Sequence, residues 1–316
     1  MDDVCWVEGQ TWVSSASNMV GGSSVHFYGV RGSTPCDSPG IARYGGNTSC
    51  VVLDVAGHAP IVFDLGTGLR AYGHQLATAG LEAGFRGTVL LTHLHWDHIQ
   101  GLPFFHPLAH PDSALDVHGP LQAEGPLGDV FEGVMRPPYF PIRPRDLPAD
   151  IRFHGVGDDQ FCIGDAKVRS CWVRHTDPAL GFRVDVAGTS VAYISDHGQG
   201  CGDDDPLDHI PAKVLELCDG VDLLIHDAQH TADEFATKAH YGHCTVGYAV
   251  HVAREAGARQ IALFHHDPAH DDDEVDRILL SARDASARTG GPEVVAAREG
   301  MDLVLRKRVP AARRAS

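Results

Sequence analysis

Positive charge is scarce in this chain. Its 316 residues carry 25 Lys and Arg against 42 Asp and Glu, a formal net charge of −17 with the histidines neutral. A protein that grips a long nucleic acid needs positive surface to neutralise phosphates. The balance therefore counts against a polyanionic partner, although a local patch can coexist with a negative total. The basic cluster that does occur, Arg306-Lys307-Arg308 with Arg313-Arg314, reads as a basic tail over residues 306–316. No apolar stretch is long enough to span a bilayer, so a membrane partner is not expected. Residues 1–22 hold acids near the start and no basic segment ahead of an apolar core, unlike a secretory signal. Residues 1–24, Ser/Gly-rich toward their end, read as a flexible lead-in. None of the eight cysteines forms a C-x-x-C pair, and disulfide frameworks belong to small secreted chains. Reduced thiols and a cytoplasmic location follow as expectations, with Cys50, Cys171 and Cys218 in the core. Short-period repeats and linkers are also missing, so residues 25–305 read as a single catalytic domain.

What the chain does have is histidine, 21 in all, and one stretch concentrates it. Val89-Leu90-Leu91 is a short apolar run of the kind that forms a buried strand. It leads into Thr92-His93-Leu94-His95-Trp96-Asp97-His98. If the strand continues through His95, the imidazoles of His93 and His95 point the same way, since side chains repeat every two residues. Asp97 and His98 then lie on the following turn, before an apolar stretch at 99–105 that reads as a helix start. Two imidazoles on one face suit a first metal ion, and a carboxylate with an imidazole suits a second beside it. Neutral imidazole and carboxylate favour zinc, with manganese or iron as alternatives. His106, His110, His118 and His154 read instead as surface or internally satisfied histidines.

The H-x-H-x-D-H pattern resembles the metallo-β-lactamase superfamily of binuclear metallohydrolases, and that resemblance implies further ligands. His175 precedes Leu180-Gly181-Phe182-Arg183, as the next ligand histidine does in the phosphodiesterase branch. Asp196 ends Val191-Ala192-Tyr193-Ile194-Ser195-Asp196 and looks like the carboxylate that bridges both metals. Ile261-Ala262-Leu263-Phe264 leads into His265 and His266, one of which looks like the last ligand. Strand alternation lets one of the two face the site. His265 is preferred because it holds the first position after the apolar run, as His93 does, and His266 stays open.

Three further segments resemble the branch that contains the tRNA 3′-processing endonuclease RNase Z and phosphoribosyl cyclic phosphodiesterase. Phe27-Tyr28-Gly29-Val30-Arg31-Gly32-Ser33-Thr34-Pro35 looks like its N-terminal glycine loop. Asp64 of Phe63-Asp64-Leu65-Gly66 looks like the aspartate that supports ligand histidines from behind. Asp227 of His226-Asp227-Ala228-Gln229 and His243 of Tyr241-Gly242-His243-Cys244 resemble the carboxylate and histidine that protonate the leaving oxygen. The catalytic group expected is thus Asp97, Asp227 and His243. Arg31 and Ser33 are candidate phosphate contacts, the other reading of Arg31 being a structural partner of a nearby acid.

The fold implied is α/β, a four-layer αββα sandwich with the site between two sheets. Strands are expected near 25–30, 51–55, 61–63, 88–91, 168–173, 182–186, 191–194, 223–225 and 261–264. Helices are expected at 69–79, 206–218, 245–256 and 272–287, the last opened by the acidic run Asp271-Asp272-Asp273-Glu274. The proline-rich stretch 106–150 reads as irregular, with 135–142 a wall or lid over the pocket. Water bridging two metal ions loses its proton near neutral pH, so in-line attack on a phosphodiester is the expected chemistry. The expected substrate is a small phosphodiester, such as a cyclic nucleotide or cyclic phosphate ester. An RNA 3′-processing nuclease and a thioesterase or lactamase are the alternatives, with a non-catalytic metal-binding sensor behind them. A homodimer is among the assemblies the sequence allows.

Overall fold

The computed structural model describes residues 22–201 and 206–306. The lead-in before Gly22, the acidic run Asp203-Asp204-Asp205 and the basic tail beyond Arg306 lie outside the described residues. Ser23 and Ser24, expected in the lead-in, already belong to the first strand.

The chain builds two seven-stranded sheets in turn. The first takes β1 (Ser23–Gly29), β2 (Cys50–Val55), β3 (Ile61–Phe63), β4 (Arg86–Leu90), β5 (Ala114–Pro120) and β6 (Asp150–Val156) in sequence order. The second takes β7 (Asp159–Ile163), β8 (Ala166–Val173), β9 (Ala179–Val186), β10 (Thr189–Ile194), β11 (Leu223–Asp227), β12 (Gln260–Phe264) and β13 (Glu293–Ala296). β14 (Asp302–Leu305) returns to the first sheet and pairs antiparallel with β1. β3 to β6 run parallel, as do β10 to β13.

Side chains from the facing surfaces of both sheets form one apolar core. Phe63 stacks on Tyr193 at 4.9 Å between ring centroids, and Phe27 meets Phe264 at 6.3 Å. Each such aromatic pair adds about 0.5–1.5 kcal/mol beyond the area it buries. Helices cover the outer faces: α1 (Gly68–Thr78), the short α2 (Trp96–Ile99) and α3 (Leu127–Val134) by the first sheet, then α4 (Ala212–Cys218), α6 (Val246–Glu255) and α7 (Asp272–Thr289) in the second half, while α5 (Ala232–Lys238) lies in the connection from β11 to α6. The result is the expected four-layer αββα sandwich. Among the described residues no helix is long and apolar enough to cross a membrane.

Local signals account for the helices that were expected. Thr245 caps α6 by accepting from the Tyr248 N–H, and Asp271 caps α7 by accepting from the Glu274 N–H. Gly290 closes α7 in the left-handed region at φ 63. The helix expected from 206 begins only after Pro211, because the carbonyls of Leu207 and His209 accept from the Gln199 amide and the Tyr248 hydroxyl instead of from a helical turn. The stretch 106–150 is more regular than expected. It contributes β5 and α3, whose short apolar alternation gains its regularity by pairing with β4 and packing on β6. Cys50, Cys171 and Cys218 are buried free thiols, as expected.

Candidate metal centre and acid–base pair

The candidate residues meet at one end of the sandwich, most of them in loops that follow the C-terminal ends of parallel strands, where open α/β sheets place their sites, and His175 after the antiparallel β8. β4 stops at Leu90, so His93 and His95 are held by loop backbone and not by a continuing strand. The two rings nevertheless lie 4.4 Å apart at their centroids. His95 is the N-cap of α2, which carries Asp97 and His98 into the interior, both buried. His175 follows β8, Asp196 follows β10, and His265 follows β12.

These atoms form two overlapping groups. In one, His93, His95 and His175 present nitrogens to a common point, with His175 Nε2 3.3 Å from His95 Nδ1. In the other, Asp97 Oδ2 lies 3.2 Å from both His98 Nε2 and His265 Nε2. Asp196 sits between them. Its Oδ1 lies 3.9 Å from His93 Nε2, 3.8 Å from His175 Nε2 and 3.5 Å from His265 Nε2, while its Oδ2 is 3.2 Å from His98 Nε2. His93 Nε2, His98 Nε2 and Asp196 Oδ2 are buried without hydrogen-bond partners. Buried polar atoms are costly when unpaired, and converging imidazole and carboxylate atoms are the donor set of a transition metal. The residues present therefore fit a divalent metal.

Electrostatics matches that use. Burial opposes ionisation of Asp196, but the imidazoles of His265, His98, His93 and His175 outweigh it and hold its pKa well below the usual carboxylate range. Burial, aided by the charge of His98, pushes His93 well down and keeps it neutral. An ionised Asp196 and a neutral His93 are the forms that bind metal, whereas burial at His98 is outweighed by Asp97, Asp196 and Asp64, which hold its pKa well above the ordinary value, so that ring gives up a proton when a metal enters.

Supporting contacts fix which nitrogen of His98, His175 and His95 faces inward. Asp64 Oδ2 meets His98 Nδ1 at 2.8 Å, and the same carboxylate accepts from the Thr92 N–H, the Thr92 hydroxyl and the Tyr193 hydroxyl. His175 Nδ1 lies 2.8 Å from the Gly242 carbonyl, and His95 Nε2 2.9 Å from Asp177 Oδ2. Asp64 and His265 both adopt φ 58, and Ser33 φ 62. A left-handed conformation is uncommon for these residues, and such strain collects at functional sites. At Gly32 a Cβ would stand 2.4 Å from His265 Nδ1, so only glycine permits that approach.

His265 and His266 separate cleanly. His265 turns into the cluster, whereas His266 Nε2 lies 2.9 Å from the Ala297 carbonyl and its ring packs on Tyr44. Strand alternation is not the cause: β12 ends at Phe264, and the left-handed φ of His265 aims its ring. Arg31 departs from the expectation that it meets phosphate. Its guanidinium is buried and donates to the carbonyls of Gly45, Asp267 and His270. It ties the glycine loop to the segment after β12, the structural alternative. Ser33 does line the site, donating its N–H to Asp97 Oδ2 at 2.7 Å and accepting from Gln229 Nε2 at 3.2 Å.

Asp227, at the end of β11, places Oδ2 2.9 Å from His243 Nδ1. The carboxylate also accepts from the His197 and Gln229 N–H groups. Burial would lower the His243 pKa, but Asp227, through charge and hydrogen bond, with Asp196 and Asp97, raises it above its ordinary value. The cleft over the cluster has a volume of about 720 Å³ and is lined by Ser33, Leu94, Trp96 and Tyr241 besides the histidines and aspartates. Trp96, Asp177, Gln229 and Tyr241 escaped the sequence reading. Asp177 stands two positions past His175, and Tyr241 two before His243. Those spacings were the available signal.

Comparison with known proteins bears on the family and the fold. Residues 61–266 match the family model described as the Beta-lactamase superfamily domain. Ribonuclease Z of Brevibacillus brevis is 26% identical over 68% of this chain and 78% of its own. The metallo-beta-lactamase fold protein YhfI from Bacillus subtilis shares the fold with a TM-score of 0.65 at 18% identity, over 90% of this chain and 99% of that one. Human tRNase Z, short form, does so with a TM-score of 0.62 at 22% identity, over 90% of this chain and 99% of its own.

Proposed function

The chain belongs to the beta-lactamase superfamily and is a metal-dependent hydrolase, and from that premise we propose that it cleaves a small phosphodiester, such as a cyclic nucleotide or cyclic phosphate ester. Two divalent ions, zinc ahead of manganese or iron, are the proposed cofactors. His93, His95, His175 and Asp196 would hold one, and Asp97, His98, His265 and Asp196 the other. Bound there, the ions would supply a water nucleophile at neutral pH and neutralise charge that builds on the phosphoryl oxygens. Residues 25–305 would act as one catalytic unit.

The observation that carries the reading is the 2.9 Å contact between Asp227 Oδ2 and His243 Nδ1 beside the ligand cluster. With Nδ1 committed to Asp227, Nε2 is the nitrogen left to give a proton. Asp227 fixes the ring and favours its protonated form. A leaving alkoxide needs that proton, so the pair suits an ester with a poor leaving group. Asp97 is held by the Ser33 N–H, which keeps its carboxylate turned to the cluster. Among the described residues no Lys or Arg lines the cleft, which favours a substrate with a single anionic group.

A second reading, cleavage of RNA, is favoured by the similarity to Ribonuclease Z of Brevibacillus brevis, 26% identical. One assay set separates the two: precursor tRNA against cyclic mononucleotides and cyclic sugar phosphates, at two salt concentrations, with metal content measured on the same protein. Turnover of small esters that falls only modestly with salt supports the first reading. Cleavage of precursor tRNA that drops by orders of magnitude with added salt, without turnover of the small esters, supports the second.

A further inference from the structure

We infer that the substrate's non-reacting half is a flat, uncharged aromatic group, an aryl ring or a nucleobase, seated in an apolar cleft that adjoins the ligand cluster at Trp96. The inference rests on the phosphodiester reading above and names the class of ester.

Two clefts meet at one side chain. Trp96 lines the cleft over the histidines and also a second cleft of about 690 Å³. Its position follows from its neighbours. It is the first residue of α2, between His95, whose Nδ1 faces the cluster, and Asp97, which is buried in it. With both flanking side chains turned inward, the indole is left at the rim, 74% exposed. An indole in water is unfavourable unless something covers it in use.

The second cleft repeats that cost on its far wall. Tyr139 is 75% exposed and Phe104 50% exposed. Phe140 meets Phe104 edge-on at 5.9 Å. Of residues 135–142, expected as a wall or lid over the pocket, Met135, Tyr139 and Phe140 line this second cleft and none lines the cleft over the histidines. Aromatic rings from two separate segments and an indole face one space. Flat ligands stack on such surfaces.

Charge narrows the occupant further. Among the described residues no Lys, Arg, Asp or Glu lines the apolar cleft, and its polar members are Thr67 and Gln100. A second phosphate or a carboxylate placed there would lose its hydration with nothing to pair it. An uncharged ring loses little, and the Gln100 amide offers both a donor and an acceptor to the edge of a base. One anionic group over the ligand cluster and one neutral ring at Trp96 is the ligand these two clefts fit together.

The test compares phosphate monoesters that differ only in the organic half. Methyl phosphate, phenyl phosphate and thymidine 5′-phosphate are measured as competitive inhibitors of bis(p-nitrophenyl) phosphate turnover, and by calorimetric titration onto the metal-loaded protein. Phenyl phosphate or thymidine 5′-phosphate should bind roughly 10- to 100-fold tighter than methyl phosphate, the scale of one ring stacked on an aromatic side chain. The tighter of the two tells an aryl ring from a nucleobase. In Trp96→Ala and Tyr139→Ala the preference should shrink to within a few-fold. Both side chains are exposed, and circular dichroism and melting temperature check that the variants fold. Equal affinities in the parent protein, or a preference that survives both substitutions, would overturn the inference. Absence of phosphodiester turnover would overturn the functional reading alone, because the calorimetric comparison still decides what the cleft prefers.

Discussion

Asp64 and His98 form a fully buried contact, Oδ2 to Nδ1 at 2.8 Å, that turns His98 Nε2 toward Asp97 and Asp196. Every oxygen of Asp64 is engaged, since Thr92 and Tyr193 donate to the same carboxylate. Asp64→Asn puts an amide NH₂ against groups that already donate. Metal affinity should fall about 10- to 100-fold, the usual cost of losing a group that orients a ligand histidine, and the melting temperature should drop. Elemental analysis after dialysis against a chelator, paired with thermal unfolding, reads both. Unchanged metal retention would show that Asp64 does not orient His98 for an ion.

Asp196 is the carboxylate common to both ligand groups. Asp196→Ala should lower the occupancy of two ions and not of one, with activity falling in step. Mass spectrometry of the intact, metal-loaded protein can count ions per chain. Loss of a single ion with the other kept at parental affinity would assign Asp196 to one group only.

His243 separates proton delivery from metal binding. His243→Ala should retain metal and lose roughly 10²- to 10⁴-fold in kcat, the usual contribution of general acid catalysis. The loss should be much smaller for an activated leaving group such as p-nitrophenolate, which needs little protonation. Equal losses for good and poor leaving groups would count against the acid role.

Arg31 is expected to matter for stability and not for substrate. Its guanidinium, buried on three carbonyls, leaves those acceptors unpaired when it is replaced. Arg31→Met should cost on the order of 2 kcal/mol or more and lower the urea midpoint, while KM of the folded variant stays near the parental value. A large rise in KM without destabilisation would restore the phosphate contact.

Glu234 sets an acid limit on stability. Burial works to raise its pKa, but the Thr231 N–H, the His270 imidazole and the Thr231 hydroxyl hold it down to about 2. An unfolded glutamate titrates near about 4.3. The folded state thus binds fewer protons between those values, so the stabilisation is full above about pH 4.3 and is lost as pH falls toward 2. Glu234→Gln should lower the urea midpoint at pH 7, and the gap to the parent should narrow steadily below pH 4. A gap that stays constant across that range would mean that charge is not what Glu234 contributes.

Much of this was legible in one dimension. The H-x-H-x-D-H spacing brings His93, His95, Asp97 and His98 together because a short loop and one helical turn span only a few ångströms. Apolar runs of β length marked most strands, and Thr245 and Asp271 marked helix starts through backbone N–H groups that need acceptors. The meeting of His175, Asp196 and His265 was suggested only by family resemblance, since residues so far apart in sequence converge through sheet order. Tertiary structure alone decided the rest. A left-handed backbone at His265 aims one imidazole of an adjacent pair into the cluster and leaves His266 to a carbonyl. Packing of the glycine loop against the segment after β12 buries Arg31, which local sequence could not distinguish from a phosphate contact. β5, β6 and β7 carry too little apolar periodicity to declare themselves, and their order comes from hydrogen bonds to neighbouring strands. Trp96 shows both halves of the division. The sequence set it between two residues of the ligand cluster. Only the folded chain, by bringing Phe104, Tyr139 and Phe140 beside it, made it the boundary between a polar cleft and an apolar one.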